Sequence, residues 1–288
     1  MQTELHIQPM QSLANNPILC IVGPTGAGKT HLAMLLAEYA KSIGQTVELI
    51  SMDSALVYRG LDIGSAKPTK AEQATVTHHL IDILEPTEVY SAARFAKDAK
   101  QLCTEIVGRG NIPVIVGGTM LYWRAWAYGL SSLPPANPEI RERLDEEGKR
   151  IGWPAMHAKL AAIDPETAMR LEPNDSQRVQ RALEVYEITG KAMSTLLAES
   201  PSEDGREGSD IPQWINLVSL EPSDRKQLHQ NLEKRFDQML AAGFLDEVKR
   251  LRKNPDLHED LPAIRSVGYR QAWEFLNGEI NAEQMRYK

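Results

Sequence analysis

Cysteine is scarce: Cys20 and Cys103 are the two in 288 residues. They are too few and too far apart along the chain for a disulfide framework or a zinc site, so both read as buried thiols. No apolar run is long enough to span a bilayer. The opening Met1-Gln-Thr-Glu-Leu-His has neither the basic region nor the apolar core of a secretory signal. These absences point to a cytoplasmic chain with no membrane partner. Positive charge is also short, the formal net charge being -7. That weighs against a nucleic-acid partner, since affinity for a phosphate backbone comes largely from Lys and Arg. It does not settle the matter, because a basic face can coexist with acidic helices elsewhere. Internal repeats and low-complexity tracts are absent as well. What remains is the composition of an ordinary globular protein, 42% hydrophobic and 25% charged, with ample material for a core.

Against that background one stretch stands out. Gly23-Pro24-Thr25-Gly26-Ala27-Gly28-Lys29-Thr30 matches the G-x-x-x-x-G-K-[ST] pattern of a phosphate-binding loop. The apolar run Ile18 to Val22 leads in as a buried strand, and His31 to Ala40 leads out with helical spacing. Strand, glycine loop and helix form the arrangement the chemistry needs. Backbone N–H groups of Gly23, Thr25, Gly26, Ala27 and Gly28 curl around phosphate oxygens, and the helix N-terminus adds its positive dipole end. Lys29 supplies a point charge, and the Thr30 hydroxyl can ligate Mg2+.

Taken in order, the chain alternates strand and helix. Met1 to Asn16 carries no pattern and reads as a frayed leader. Val47 to Ser51 is a second strand, ending at Asp53; Ala55 to Thr77 is loop-rich; His79 to Leu84 is the next strand candidate. A helix from about Ser91, a suitable cap, runs to Val107. Ile112 to Val116 is a short buried strand closing on Gly117-Gly118-Thr119, where another helix begins. The alternation implies a parallel sheet covered on both faces, with ligands beyond the carboxyl ends of the strands. The proline-rich Ser131 to Pro138 reads as a boundary. Helical signals alone follow to about Leu197, a polar and mobile stretch runs from Pro201 to Asp210, and Ile215 to Leu220 returns to the sheet. Helices follow at about Ser223 to Ala242, Leu245 to Arg252 and Val267 to Leu276. The fold class is thus α/β, a P-loop NTPase-like parallel sheet flanked by helices, with a small all-helical insertion domain. The expected domains are 1–130 and 201–288 for the core and 131–200 for the insertion.

Asp53 is the second anchor. A carboxylate at the end of the strand after the loop helix can hold magnesium through water, take a proton from a nucleophile, or merely close an Asx turn. From the residues alone, only Lys29, Thr30 and Asp53 stand as site candidates.

Longer motifs go further. The run Ser51 to Pro68, His78-His-Leu-Ile-Asp-Ile, Gly117-Gly-Thr-Met-Leu-Tyr122, Gln177-Arg-Val-Gln-Arg-Ala-Leu-Glu184, Arg235-Phe-Asp-Gln-Met-Leu and Arg265-Ser-Val-Gly-Tyr-Arg-Gln-Ala-Trp273 resemble, in this order, the tRNA dimethylallyltransferase (isopentenyltransferase) family. The resemblance runs from about Pro17 to the last residue. It implies that the loop binds dimethylallyl diphosphate in place of a nucleoside triphosphate. It further implies that the five-carbon group passes to N6 of adenosine 37 in the tRNA anticodon stem-loop, with the enzyme acting as a monomer. By family match Asp53 is the general base, Arg235 joins Lys29 and magnesium against the leaving diphosphate, and Thr119 stands at the reaction channel. An active-site role for His78 is implied without being defined. The family sets Asp53, Ser54, Ala55 and Leu56 against tRNA. It does the same with Arg141, with Gln177, Arg178, Val179, Gln180 and Arg181, and with Arg265, Gly268, Tyr269 and Arg270.

Plainer readings stand beside these. Arg235 on an amphipathic helix is ordinarily a solvated or salt-bridged arginine. Gln177 to Glu184 fits an ordinary surface helix whose other face, Val179, Ala182, Leu183 and Tyr186, packs. Family members continue past the position of Lys288 into a basic tail, so weaker tRNA binding is expected of this chain. The competing functions are a P-loop small-molecule kinase, an adenylate isopentenyltransferase acting on a free nucleotide, and a binding module without turnover. The kinase leaves the helical insertion without a task, and a free nucleotide needs no such arm.

Overall fold

The computed structural model describes residues 17–130, 133–199 and 211–287. The expected frayed leader and mobile stretch, and the first residues of the proline-rich boundary, lie outside the described residues. Two compact units are formed: residues 17–127 with 211–287, and residues 128–199.

The first unit runs β1 (Ile18–Val22), α1 (Lys29–Ser42), β2 (Val47–Met52), α2 (Lys70–Thr75), β3 (Thr77–His79), α3 (Ala92–Gly108), β4 (Ile112–Gly117) and α4 (Met120–Ala127). In the second unit are α5 (Pro138–Ile151), α6 (Trp153–Ile163), α7 (Pro165–Met169), α8 (Ser176–Thr189) and α9 (Met193–Glu199). The first unit is completed by β5 (Ile215–Ser219), α10 (Arg225–Ala241), α11 (Phe244–Leu251), α12 (Tyr269–Asn277) and α13 (Ala282–Tyr287). No helix among the described residues is long and apolar enough to cross a membrane.

The five strands form one parallel sheet in the order β3-β2-β4-β1-β5. Its central strands are near-continuous apolar runs because helices cover both faces. On one face Leu49 and Val114 pack against Ala33, Ala37 and Ala40 of α1, whose small side chains let the helix lie close. Helix starts are set by side-chain caps: Ser91 Oγ accepts from Arg94 N at 3.1 Å for α3, and Thr69 and Glu72 form a capping box for α2.

One strand differs from the sequence reading. β3 stops at His79 instead of running to Leu84, because Leu80 and Asp82 adopt positive φ of 61° and 56°. Side chains rarely take that conformation and it turns the chain out of the ladder. Short helices α2 and α13 are additions, each too brief to leave a periodic signal. Cys20 and Cys103 are free and buried, and burial raises both thiols, Cys103 to about 12.

At the amino end of the sheet Glu48, in β2, is buried among donors. Arg109 donates to it from Nε at 2.7 Å and Nη2 at 2.6 Å, Asn111 at 2.6 Å, and His79 Nε2 stands 2.6 Å away. The Arg109 bonds chiefly, against the opposing effect of burial, hold its carboxyl down at about 2, well below the ordinary 4.5. A carboxyl depressed on folding stabilises the fold above its unfolded value and loses that contribution as pH falls through the folded one. Glu48→Gln is therefore expected to lower stability by about 2 kcal/mol near neutral pH. The gap from wild type should close as pH drops from 4.5 toward 2. Urea denaturation at a series of pH values checks it; a gap independent of pH would contradict it.

Candidate active site

β1, β2 and β4 end in step, with Val22 beside Gly117 and Gly117 beside Met52. The residues that follow, Gly23, Asp53 and Gly118, therefore leave the sheet side by side. Gly118 must be small: a Cβ there would stand 3.0 Å from Gly23 O and 3.6 Å from Lys29 Nζ. Thr119, next in line, accepts a hydrogen bond from Ser54 N at 3.2 Å through Oγ1 and donates its own N–H to Met52 O at 3.3 Å. The loops after β2 and β4 are thereby tied together at the end of the first.

Asp53 does close an Asx turn, its Oδ1 accepting from Ala55 N at 2.8 Å and Leu56 N at 3.3 Å. Oδ2 takes no part in those bonds. The turn reading and the chemical reading thus coexist: the turn aims the carboxylate and leaves one oxygen for a ligand.

Lys29 opens α1 and curls back over its own loop, donating to Gly23 O at 2.9 Å and Pro24 O at 2.8 Å. Burial lowers its pKa from the usual lysine value; the charge of Asp53 opposes this and that of Arg235 reinforces it. Arg235 comes from α10, whose Leu228 and Leu232 lie two turns and one turn earlier on the same face and pack over Gly26, 3.3 and 3.0 Å from where a Cβ would be. Among the described residues no hydrogen bond or ion pair engages the half-buried Arg235 guanidinium. The salt-bridged reading of this arginine is not what the structure contains. α10 thus brings Arg235 toward the loop that carries Lys29, and Asp53 leaves the sheet beside that loop; cations near one another repel until an anion sits between them.

Thr30 follows Lys29 with an exposed side chain. No cluster of three or more His, Cys, Asp or Glu suited to a metal occurs among the described residues. The oxygen donors at hand are the Thr30 hydroxyl and the spare Asp53 oxygen. That set fits magnesium carried in on substrate phosphates, which keeps water and phosphate ligands, and does not fit a metal held by protein alone.

His78 sits opposite Leu49, four residues back from Asp53, with Nδ1 donating to Val76 O at 2.7 Å. Burial lowers its pKa, and its Nε2 is buried without a partner. In the second unit Arg141 and Arg181 are spent on Glu184, which is fully buried. Arg141 donates to its two oxygens at 2.9 and 3.0 Å, Arg181 at 2.6 Å and Asn137 N at 2.7 Å. Burial alone would raise the Glu184 carboxyl, but these donors hold it below its ordinary value. Gln180 donates to Arg141 O at 3.0 Å. Val179 is wholly buried in that unit's core with Leu144 and Leu160, so it packs and offers no surface to a ligand. Gln177 and Arg178 remain exposed. Tyr186, expected to pack, is exposed as well.

The turn from Arg265 to Arg270 also divides. Arg265 and Arg270 are exposed, whereas Tyr269 is fully buried and cannot meet a ligand. Its hydroxyl donates at 2.6 Å to Glu247, a buried carboxylate on α11 that also accepts from Asp62 N, Ile63 N and Gly64 N at 3.1, 2.8 and 3.2 Å. Glu247 clamps the loop after Asp53 and was not found from sequence. A glutamate on an amphipathic helix carries no mark of the backbone it will hold. Leu228 and Leu232 were missed for the same reason.

Fold and loop together define a P-loop phosphate-binding α/β protein. A model of the family described as IPP transferase matches residues 56–288. The chain is 81% identical over 288 residues to the tRNA dimethylallyltransferase of Polynucleobacter asymbioticus, covering all of this chain and 86% of that one. Identity to the tRNA dimethylallyltransferase of Paraburkholderia phymatum is 54%, over 97% and 86% of the two chains. Among solved structures, the tRNA isopentenylpyrophosphate transferase of Bacillus halodurans aligns with a TM-score of 0.59 at 36% identity, covering 94% of this chain and 80% of that one. A eukaryotic dimethylallyltransferase acting on tRNA aligns at 0.71 and 26% identity, over 94% and 66%. The chain belongs to the IPP transferase family.

Gly118→Val places bulk between the loop and Lys29, and overpacking of this kind costs about 1–3 kcal/mol. Expected is a rise of about tenfold in the Kd for inorganic diphosphate by calorimetry, with the melting temperature within a few degrees of wild type. Unchanged affinity would show that the loop ligand lies elsewhere.

Proposed function

We propose that this chain transfers the dimethylallyl group of dimethylallyl diphosphate to N6 of adenosine 37, next to the tRNA anticodon. The observation that carries the reading is that Asp53 leaves the sheet beside the glycine loop that bears Lys29, while α10, the helix of Arg235, packs over Gly26 of that loop. The names borne by its relatives support the choice of donor and acceptor.

The lone pair of N6 forms a bond to C1 of the allyl group as the C1–O bond breaks, and diphosphate leaves with that electron pair. Charge grows on the leaving oxygens, where fixed cations and loop N–H groups stabilise the transition state more than the ground state. Lys29 and Arg235 are the cations, with N–H groups from Gly23 to Thr30. Magnesium, held by Thr30 and the diphosphate, would add Lewis-acid neutralisation of the same charge. The proton released by N6 goes to Asp53, whose Oδ2 is free of the turn that Oδ1 closes. Such a base contributes about 10²–10⁴-fold.

A base in the anticodon loop has to leave its stack to reach this site, at a cost of a few kcal/mol that backbone contacts must offset. The exposed Gln177, Arg178, Arg265 and Arg270 are suited to those contacts. Arg141 and Arg181 serve by fixing the helix that bears Gln177 and Arg178. The enzyme is read as a cytoplasmic monomer.

The test is label transfer from dimethylallyl diphosphate, with magnesium, to unmodified tRNA, with AMP as competing acceptor. Expected is label in tRNA, with kcat lowered about 10²–10⁴-fold in Asp53→Asn, a variant that keeps an Oδ1 for the turn. Label in AMP alone would move the chain to the nucleotide-prenylating branch. ATP turnover without prenyl transfer would make it a kinase.

A further inference from the structure

Outside that constellation the first unit holds a cavity of about 660 Å³ walled by the segment that follows Asp53. We infer that it receives a nucleotide neighbouring the reacting adenosine in a single-stranded RNA loop. The inference rests on the reading of the chain as an RNA prenyltransferase.

Position is the first argument. Asp53 Oδ1 accepts from Leu56 N at 3.3 Å, Leu56 O accepts from Asp82 N at 3.1 Å, and Asp82 lines the cavity. One residue, Leu56, and two hydrogen bonds link the base to the wall. The wall is thus continuous, in chain and in hydrogen bonding, with the segment that carries Asp53.

The lining is the second. Ile63 and Pro68 give low apolar walls on which a planar ring can lie. Asp62 presents a largely exposed carboxylate whose Oδ1 is taken by Lys67 at 2.8 Å, leaving Oδ2 as the acceptor. Gln73 has given its amide nitrogen to Pro68 O at 2.7 Å, leaving an oxygen as acceptor. Acceptors at the edge of a ring slot suit the exocyclic amino groups of bases, which unstacked loop nucleotides expose.

Charge is the third. Lys67, with 4% of its side chain exposed, is consumed internally: it donates to Tyr58 O at 2.8 Å and ion-pairs with Asp62 and Asp82. It shapes the cavity and binds nothing further. Lys70 is 83% exposed and makes only a 3.3 Å contact with Asp82, so its ammonium at the rim is free to meet a phosphate. Base within and phosphate at the rim is the order a single strand requires. The shape includes two lining residues that have positive φ without being glycine, Ala66 at 49° and Asp82 at 56°. It is held by the Glu247 clamp on Asp62, Ile63 and Gly64.

The experiment is ultraviolet cross-linking of the full chain to an unmodified anticodon stem-loop RNA, with adducts mapped by mass spectrometry. Alongside it, the salt dependence of RNA binding is measured for wild type and Lys70→Ala. Expected are adducts between residues 59–73 and a nucleotide flanking the acceptor. The slope of log Kd against log salt should be shallower by about 0.7 in the variant, one single-strand phosphate contact fewer. The KM for dimethylallyl diphosphate should not change. Adducts confined to other segments, with an unaltered slope and normal prenyl transfer by wild type, would overturn the inference and leave the proposed function standing. RNA that is neither bound nor prenylated by wild type would overturn both.

Discussion

The site depends on three parallel strands ending at the same level. Because Val22, Met52 and Gly117 are in register, the residues after them emerge as a row: a glycine that starts the phosphate loop, a carboxylate, and a glycine small enough to let the loop pass. Parallel ladders tolerate no one-residue slip, since a slip turns every side chain to the opposite face. The apolar content of the strands therefore fixes where Asp53 stands relative to Lys29. Everything polar at the site is arranged on top of a decision made by the core.

Buried carboxylates do much of the remaining positioning, and each is held by several donors. Glu48 ties β2 to Arg109 and Asn111 at the amino end of the sheet. Glu184 locks α5 to α8 in the second unit through Arg141 and Arg181. Glu247 gathers three successive amides and a tyrosine hydroxyl. Carboxylates so fully bonded are structural anchors, because removing one leaves several buried donors without acceptors. Asp53 is different in having an oxygen outside its turn, and Arg235 is different in having no hydrogen-bond or ion-pair partner among the described residues. Unsatisfied groups facing one loop mark where a ligand belongs.

Much of this was legible in the sequence, for physical reasons. The phosphate loop, the strands at Ile18, Val47 and Ile112 and the helix capped by Ser91 carry local signals that tertiary packing does not override. The end of β3 was not legible, because nothing in Leu80 or Asp82 announces a positive φ. The surface contacts expected from family likeness were sorted only by burial: Val179 and Tyr269 turned out to be core, and Arg141 and Arg181 turned inward to a glutamate. Periodicity had already put Val179 on the packing face, and there it agreed with the structure. Glu247, Leu228 and Leu232 act across more than 180 residues of chain, a separation no sequence pattern encodes.

The central claim is that Lys29 and Arg235, from opposite ends of the chain, act on one diphosphate. It is tested most directly by a double-mutant cycle on the affinity for inorganic diphosphate, using Lys29→Met, Arg235→Met and the pair. Each single change should weaken binding about tenfold or more, as expected for a charge-assisted hydrogen bond. The double change should cost less than the sum by at least about 0.5 kcal/mol, the mark of groups that share a partner. Wild-type affinity in Arg235→Met would contradict the account.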